Sequence, residues 1–290
     1  MAPAERYASQ RVTNILGKSR LGIIAGTGHL PRQIAERFDS SGKTIFFIAL
    51  EGITDPETVI NFDHKWAKLG QLQIAMTALL DAKVDKVVMA GPVKRPALSS
   101  LKLDKRASKM LLRGGAKVFG DDGLLSLLIN EIEKDGLKVI GIDQILSDLL
   151  TEPDLTIGPS VDDMAQKDIN RALEILVKLG PADVGQSVAI QEGLVLAIEA
   201  IEGTDNMIDR AGQYRRDALG PILVKISKPG QERRADMPTI GPKTVRLAIS
   251  NGFRGLALEE GGTLLLERDE VQTIAEDENF FIVGIKVPGA

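Results

Sequence analysis

The feature of this sequence that most limits its fold is a series of short, continuous apolar runs separated by helical patterns. Apolar runs without polar alternation are typical of strands covered on both faces, as in parallel sheets. In the first half the strand candidates are 21–25, 44–49, 86–90, 118–119 and 139–142, and the helical patterns are 31–41, 71–82 and 121–134. This alternation predicts right-handed crossovers and a Rossmann-like parallel sheet in an α/β protein.

The stretch 151–160 has two prolines, a glycine and no period, and it predicts an interdomain linker. A second, less regular α/β domain is predicted beyond it. Its expected helices are 162–178, 205–216, 242–251 and 268–277, and its expected strands are 187–190, 195–199, 222–226, 255–258, 263–266 and 280–283. We therefore expect an extension (1–20), a nucleotide-binding domain (21–150), a linker (151–160) and a catalytic domain (161–290), with a substrate cleft between the domains.

The composition excludes several kinds of site. A net charge of −4 argues against a general nucleic-acid binder, which needs an excess of Lys and Arg. The absence of cysteine removes thiolate nucleophiles, disulfides and zinc–thiolate centres. Two histidines, His29 and His64, are too few for a histidine-rich zinc site. If a metal is used, oxygen ligands with Mg²⁺ or Mn²⁺ are expected.

No apolar run reaches membrane-spanning length, and the first twenty residues lack a signal-peptide core.

A glycine-containing turn at 25–31 joins the first strand to a helix. Gly26 and Gly28 let backbone N–H groups approach an anion, and the helix N-terminus adds partial positive charge. The third glycine of the dinucleotide fingerprint is missing, and a simple strand–helix turn explains the pattern equally well. Glu51 follows the second strand, where a ribose-binding acid lies in dehydrogenases, so an NAD(P)-dependent oxidoreductase stays an alternative.

Two further loops carry charges suited to phosphate or metal. The segment 91–96 begins at Gly91 and follows the third strand, where parallel sheets place ligands, and its Lys94 and Arg95 can neutralise phosphate. A rigid surface turn is the alternative. In 120–123, Asp121 and Asp122 precede an apolar helix. They can hold Mg²⁺ or a sugar hydroxyl, although helix capping is the favoured explanation.

The second half contains two more candidate segments. In 200–205, Glu202 and Asp205 can ligate a metal or orient water, and a helix cap is an equal alternative. In 225–244, Asp236 lies among cations in a loop stiffened by proline and glycine, which favours a depressed pKa and a carboxylate that binds metal or orients water. Lys225 and Arg233 are candidates to offset charge on phosphoryl oxygens. A salt-bridged surface loop is the less favoured alternative.

Six motifs together resemble the LpxI-type UDP-2,3-diacylglucosamine pyrophosphatases of Gram-negative bacteria. They are 21–31, 91–96, 120–125, 192–205, 236–241 and 260–266. The resemblance runs in order from Leu21 to Gly284, nearly the whole chain. The motifs 192–205 and 236–241 are specific, whereas the glycine turn is not. Two positions depart from the family pattern: Thr27 stands where another glycine is common, and Glu232 where many relatives have Asp, which leaves the role of Glu232 open.

The resemblance implies two α/β domains that hold a lipid nucleotide, and a reaction dependent on Mg²⁺ or Mn²⁺ in lipid A biosynthesis. Water is expected to attack the β-phosphorus and to give lipid X and UMP, with Asp236 as the essential aspartate. The expected site comprises catalytic Asp236, Glu202 and Asp205, substrate-binding Gly26, Gly28, Gly91, Lys94, Arg95, Lys225, Arg233 and Thr239, and metal ligands Asp236 and Asp122. We expect a cytoplasmic protein that binds no nucleic acid. Peripheral contact with the inner membrane, a homo-oligomer, and a non-catalytic nucleotide- or lipid-binding function stay open.

Overall fold

The computed structural model describes residues 20–40, 42, 44–94, 96–115, 121–228 and 231–287. Their contacts divide the chain into two compact units. Unit 1 consists of the described residues up to Asp148 together with Glu232–Asp236. Unit 2 consists of those in Leu149–Gln231 and from Met237 onward. A short piece of the second half of the sequence therefore belongs by its contacts to the first unit.

Unit 1 contains a five-stranded sheet in the order β3-β2-β1-β4-β5, and all of its pairs are parallel. The strands are β1 (Leu21–Ala25), β2 (Ile45–Leu50), β3 (His64–Ala67), β4 (Lys86–Ala90) and β5 (Lys138–Val139). The chain winds outward from β1 to β3 and then returns to β4 on the other side of β1. This confirms the parallel-sheet prediction and places a topological switch point between β1 and β4.

The helices of unit 1 pack their apolar residues against this sheet. They are α1 (Leu30–Asp39), α2 (Pro56–Val59), α3 (Leu72–Asp81), α4 (Lys105–Gly114), α5 (Asp121–Glu133) and α6 (Ile142–Ile145), with 3₁₀ turns at Leu98–Ser100 and Ser147–Leu149. Met76 of α3 and Ile132 of α5 share one buried cluster with Val87 of β4. Ala235, from the Glu232–Asp236 piece, packs against the same cluster.

Unit 2 is built on a mixed six-stranded sheet in the order β6-β13-β11-β9-β7-β8. The strands are β6 (Thr156–Ile157), β7 (Ser187–Gln191), β8 (Leu194–Ile198), β9 (Ile222–Lys225), β11 (Gly255–Glu259) and β13 (Phe281–Ile285), and a separate parallel pair joins β10 (Thr239–Ile240) to β12 (Leu264–Leu265). Strands β9, β11 and β13 run parallel, whereas β6, β7 and β8 make antiparallel pairs. The second α/β prediction is thus confirmed.

Among the described residues, four helices cover the two faces of this sheet: α7 (Asp163–Leu179), α8 (Gly203–Gly212), α9 (Pro242–Ser250) and α10 (Arg268–Asp277), with a 3₁₀ turn at Gly180–Ala182. Leu223 of β9 lies in the buried cluster that α8, α9 and α10 share. Its neighbour Val224 lies in the cluster that contains α7. Successive strand residues point to opposite faces, so α7 covers one face and the other three helices cover the second.

Some local predictions differ from the structure. No pattern in the sequence indicated β3, α2 or α4, and β6 lies within the range predicted as the linker. The range 139–142 is not one strand, because Ile142 begins α6. Leu80 is one of the apolar residues of the predicted helix 71–82, yet it is 44% exposed. The candidate strand 118–119 lies outside the described residues. None of the helices in the described part of the chain has the length and apolar character needed to cross a bilayer.

Candidate functional site

The loops that follow β1 and β4 are hydrogen-bonded to each other at the switch point of unit 1. The Gly26 N–H donates to the Ala90 carbonyl at 2.8 Å. The Thr27 N–H and hydroxyl both donate to the Pro92 carbonyl, at 2.9 and 3.1 Å. Open parallel sheets bind ligands at this position, outside the carboxyl ends of the strands. The two glycine segments found in the sequence thus form one surface.

The glycines of this surface are required by close backbone contact. A Cβ on Gly26 would lie 2.2 Å from the Gly91 carbonyl oxygen, and one on Gly91 would lie 2.4 Å from the Thr27 carbonyl oxygen. Gly28 has φ of +83° and open space around it, so its backbone is approachable. Helix α1 begins just beyond, at Leu30, and its N-terminus adds partial positive charge. This arrangement suits an anion such as phosphate.

The side chains of the second loop are described only in part. Lys94 is exposed beside this surface, and Arg95 lies outside the described residues.

The segment Glu232–Asp236 is anchored in unit 1 by contacts with α5. Asp122 Oδ1 accepts a hydrogen bond from the Glu232 backbone N–H at 2.6 Å. The Arg234 guanidinium donates to Glu133 Oε1 at 2.9 Å. Asp122 therefore does more than begin a helix: its carboxylate fixes a backbone that lies 110 residues further along the chain.

Asp236 follows directly on this anchored backbone. Both the Ala235 and the Asp236 N–H groups donate to the Glu232 carbonyl, at 2.9 and 3.2 Å, which closes a single turn of chain. Asp236 and Arg233 are both exposed on this turn. Hydrogen bonds thus connect the Asp122 carboxylate to the Glu232 backbone, and the Glu232 backbone to that of Asp236.

Glu232 is held within the same turn by an ion pair. The Arg234 guanidinium donates to both of its carboxylate oxygens, at 2.9 and 2.7 Å. These hydrogen bonds lower the pKa of Glu232, against the opposing effect of burial, and the same contact raises the pKa of Arg234. Glu232, whose role the sequence left open, therefore stabilises the turn that carries Asp236.

In unit 2, the carboxylate of Glu202 already has a cationic partner. Arg210 of α8 forms an ion pair with Glu202 and donates to the Ile198 carbonyl at 2.9 Å. Burial acts to raise the pKa of Glu202, but backbone hydrogen bonds and the Arg210 guanidinium together lower it. Glu202 is thus a carboxylate at neutral pH.

Asp205 also has partners, which come from the start of α9. Lys243 Nζ donates to one of its oxygens at 2.8 Å, and the Thr244 hydroxyl donates to the other at 2.9 Å. The hydrogen bond to Asp205 raises the pKa of Lys243. A ligand of Asp205 or Glu202 would have to compete with these cations.

Lys225 lies in a buried polar cluster at the carboxyl end of β9. Its ammonium donates to Thr204 Oγ1 at 2.7 Å and to Ser187 Oγ at 3.3 Å, and it lies 3.6 Å from Glu199 Oε2. The Thr204 hydroxyl in turn donates to Glu199 Oε1 at 3.0 Å. Lys225 is only 2% exposed, so the described contacts make it part of an internal ion pair.

Glu199 was missed by sequence reasoning. The available signal was a carboxylate directly after the apolar strand 194–198, where an unpaired charge would be unfavourable and a buried cation is needed. Thr239, the remaining predicted contact, begins β10, and its hydroxyl donates to the Met237 carbonyl at 3.0 Å.

Two family models cover almost the whole chain. The LpxI N-terminal domain matches residues 20–149, and the LpxI C-terminal domain matches residues 154–283. The chain belongs to the LpxI family. A protein of Caulobacter vibrioides named UDP-2,3-diacylglucosamine pyrophosphatase LpxI is 34% identical to it over 277 residues, which span 92% of this chain and 97% of that protein. The family that the sequence motifs indicated is therefore confirmed.

The predicted site residues of this LpxI-family chain are divided between the two units. Unit 1 holds Gly26, Gly28, Gly91, Lys94, Asp122, Arg233 and Asp236, and unit 2 holds Glu202, Asp205, Lys225 and Thr239. The structure thus joins the glycine loops and the Asp122–Asp236 pair in one unit. The carboxylates of Glu202 and Asp205 and the ammonium of Lys225 lie in the other unit, each with its own protein partner.

The arrangement of the acidic side chains can be compared with what a Mg²⁺ site requires. Such an ion is usually held by one or two carboxylates together with water and substrate phosphates. Among the described residues no group of three acidic or histidine side chains is assembled. Asp122 and Asp236, the expected ligands, both belong to unit 1, and the carboxylate of Asp122 also accepts a hydrogen bond from the Glu232 N–H. An ion held by these two groups would take its other ligands from water and the substrate.

Proposed function

We propose that this LpxI-family chain hydrolyses the pyrophosphate bond of UDP-2,3-diacylglucosamine and releases UMP and lipid X, a step of lipid A biosynthesis. The observation that carries the proposal is the 34% identity to a protein named for this activity, over nearly the full length of both chains. Both LpxI domain models match as well. The protein is thus a hydrolase acting on a phosphoric anhydride. The oxidoreductase suggested by Glu51 has no support from the family.

The nucleotide diphosphate is proposed to bind at the joined loops of unit 1. Gly26, Gly28 and Gly91 are proposed to let phosphate oxygens approach the backbone, and the N-terminus of α1 offers donors and partial positive charge. The Gly26 and Thr27 N–H groups themselves already donate to the Ala90 and Pro92 carbonyls. Lys94 and Arg95 would add full charges. The close contacts that exclude a Cβ at Gly26 and Gly91 hold the two loops together, and the open space around Gly28 supports this assignment.

The chemistry is assigned to Asp236. Its carboxylate orients a water molecule toward the β-phosphorus, and the bond from that phosphorus to the bridging oxygen breaks. The bridging oxygen leaves with UMP, and the water oxygen remains on the phosphate of lipid X. Asp236 and Asp122 would hold Mg²⁺, and the bound ion would withdraw charge from the phosphoryl oxygens. Asp122 also fixes the turn that carries Asp236.

The remaining candidates have supporting roles in this proposal. Arg233, on the same turn as Asp236, would offset charge on a phosphoryl oxygen. Glu202 and Asp205 stay proposed catalytic carboxylates and Thr239 a proposed substrate contact. For Lys225 we keep the proposed role of offsetting phosphate charge, although its described contacts are with Glu199, Thr204 and Ser187.

The proposed place of action follows from the substrate. A uridine nucleotide is a water-soluble group, whereas acyl chains partition into lipid. We therefore propose a cytoplasmic protein that works in peripheral contact with the inner membrane and binds no nucleic acid.

The test is hydrolysis in water enriched in oxygen-18, with detergent-dispersed UDP-2,3-diacylglucosamine and Mg²⁺. We expect UMP without label and lipid X with one labelled phosphate oxygen. Label in UMP would refute attack at the β-phosphorus, and no UMP at all would refute the activity. Asp236→Asn should lower kcat at least about a thousandfold while substrate binding is kept. The matched control Asp154→Asn changes an exposed acid of unit 2 and should retain full activity.

A further inference from the structure

We propose that the outward face of helix α4 binds the anionic surface of a phospholipid bilayer. This face, called the α4 face, consists of Lys105, Lys109, Leu112 and Arg113, with Lys102 just before the helix. The proposal goes beyond hydrolysis, because it concerns residues to which the proposed reaction assigns no role. It names the part of the chain that would make the proposed membrane contact.

The α4 face arises from helical spacing. Lys105, Lys109 and Leu112 are four and three residues apart, so they form one stripe along the helix. On the other side, Ala107 and Met110 are buried against unit 1. The stripe is therefore held outward by the packing of its opposite face. Leu112 is 83% exposed in the middle of these cations.

The charges of the α4 face are largely uncompensated. Lys102, Lys105 and Lys109 are exposed and form no ion pair within the described part of the chain. Arg113 lies at the margin, 3.5 Å from Glu131. The range 102–113 contains five cations and one acid, in a chain whose net charge is −4. This segment is therefore positively charged, whereas the protein as a whole is negatively charged.

The single acid of this range does not neutralise the stripe. Asp104 Oδ1 accepts from the Ala107 N–H at 2.8 Å and caps α4, and its Oδ2 accepts from the Gln73 N–H at 2.6 Å. Arg106 is likewise not part of the α4 face. It packs toward α5, where it pairs with Glu131 at 3.1 Å and with Asp135 at 2.6 Å. The structure thus uses Asp104 and Arg106 internally and leaves the lysines to the surface.

An anionic bilayer matches this combination of groups better than a nucleic acid. Lysine side chains place an apolar stem along the acyl boundary and their ammonium groups among headgroup phosphates. A lone exposed leucine among them can enter the same boundary, where apolar area and electrostatic attraction add. A nucleic acid would use the cations but has no place for Leu112, and the stripe has no aromatic side chain on which bases could stack.

Binding of the α4 face to a bilayer is expected to be weak and reversible. Each cation close to an anionic surface contributes about 1 kcal/mol, or about fivefold in the partition coefficient. Binding should therefore weaken steeply with salt. Reversing Lys105 and Lys109 to glutamate should lower the partition coefficient at least about twenty-fivefold. Leu112→Ser should lower it by a smaller factor, about tenfold.

The experiment is co-sedimentation of the full chain with vesicles of phosphatidylcholine, with and without phosphatidylglycerol, at low and high salt. We expect binding only to phosphatidylglycerol vesicles, and its loss in Lys105→Glu/Lys109→Glu. The charge control is Lys167→Glu/Lys178→Glu on α7, which changes two exposed lysines of unit 2. The apolar control is Ile60→Ser, an isoleucine of unit 1 that is 71% exposed. Both controls should bind like the unaltered protein.

Three results would overturn the proposal: no sedimentation with phosphatidylglycerol, equal sedimentation with both vesicle types, or unchanged binding of the α4 variants. The assay contains no lipid nucleotide, so its outcome is independent of catalysis. UMP release from detergent-dispersed substrate, measured on the same preparations, should be unchanged in the α4 variants and shows that they are folded. Failure of hydrolysis in every preparation would count against the proposed function, not against the α4 face.

Discussion

Replacing Glu199 with glutamine should destabilise unit 2 strongly, because it leaves the Lys225 ammonium buried without its carboxylate. The two groups lie 3.6 Å apart, with Lys225 only 2% exposed and Glu199 7%. Glutamine keeps the size of the side chain and an oxygen that can accept from Thr204. The substitution therefore removes the charge and little else.

The magnitude follows from the distance and the burial. At 3.6 Å and an effective dielectric constant of about 20, the Coulomb attraction is about 5 kcal/mol. Removing one member of a buried pair typically costs about 3–5 kcal/mol. Lys225 keeps its hydrogen bonds to Thr204 and Ser187, which favours the lower end, about 3 kcal/mol. For a unit of roughly 140 residues this corresponds to a fall in Tm of about 10 °C.

Differential scanning calorimetry at neutral pH measures this fall. Glu199→Gln combined with Lys225→Met should recover most of the loss, since no unpaired charge then remains. The control is Glu270→Gln, which breaks an exposed pair with Arg246 in the same unit and should cost about 0.5 kcal/mol or less. The reasoning fails if the Tm of Glu199→Gln is as close to that of the unaltered protein as the Tm of the control is. It also fails if the Tm of the double variant is no higher than that of Glu199→Gln.

Three further predictions concern unit 1. Asn at position 122 still accepts from the Glu232 N–H, so Asp122→Ala should lower kcat about tenfold more than Asp122→Asn; equal losses in steady-state kinetics would contradict the positioning role. Gly26→Ala forces a Cβ against the Gly91 carbonyl, and it should weaken UMP binding about tenfold in calorimetric titration. Unchanged affinity for UMP would show that this loop does not bind the nucleotide. Because the pKa of Glu232 is lowered, its pair with Arg234 stabilises the fold above pH of about 4.3, and that stability is lost as the pH falls through the lowered value. The fall in unfolding free energy caused by Arg234→Met, measured by urea titration, should therefore be larger at neutral pH than in acid. A fall that does not change with pH would refute this reasoning.

The strands that could be predicted are those buried on both faces of the sheet, because such strands appear in the sequence as continuous apolar runs. β1 and β4 lie at the centre of their sheet, and their bounds agree with the predicted ranges. β3 could not be found this way, because it is an edge strand whose first residues, His64 and Lys65, are exposed and polar. Helix α4 was missed for a related reason: its cations dominate the pattern, and only Ala107 and Met110 are buried.

The candidate residues of the site could be named from the sequence, but their arrangement in space could not be predicted. Gly26 and Gly91 were recognised from their place after strands, and their mutual contact follows from the order of the sheet. The bond between Asp122 and the Glu232 N–H joins positions 110 residues apart, which no local pattern specifies. The partners of Glu202 and Asp205 likewise depend on how helices α8 and α9 pack in space.

The membership of Glu232–Asp236 in unit 1 has a consequence for protein engineering. The natural place to exchange halves between two relatives is near residue 150, where the two family models meet. A hybrid cut there would combine α5 from one parent with a Glu232–Asp236 turn from the other. Its Asp122 and Glu133 would then face a foreign backbone and a foreign arginine. Five residues must be transplanted along with the first half, or the hybrid will inherit a mismatched aspartate.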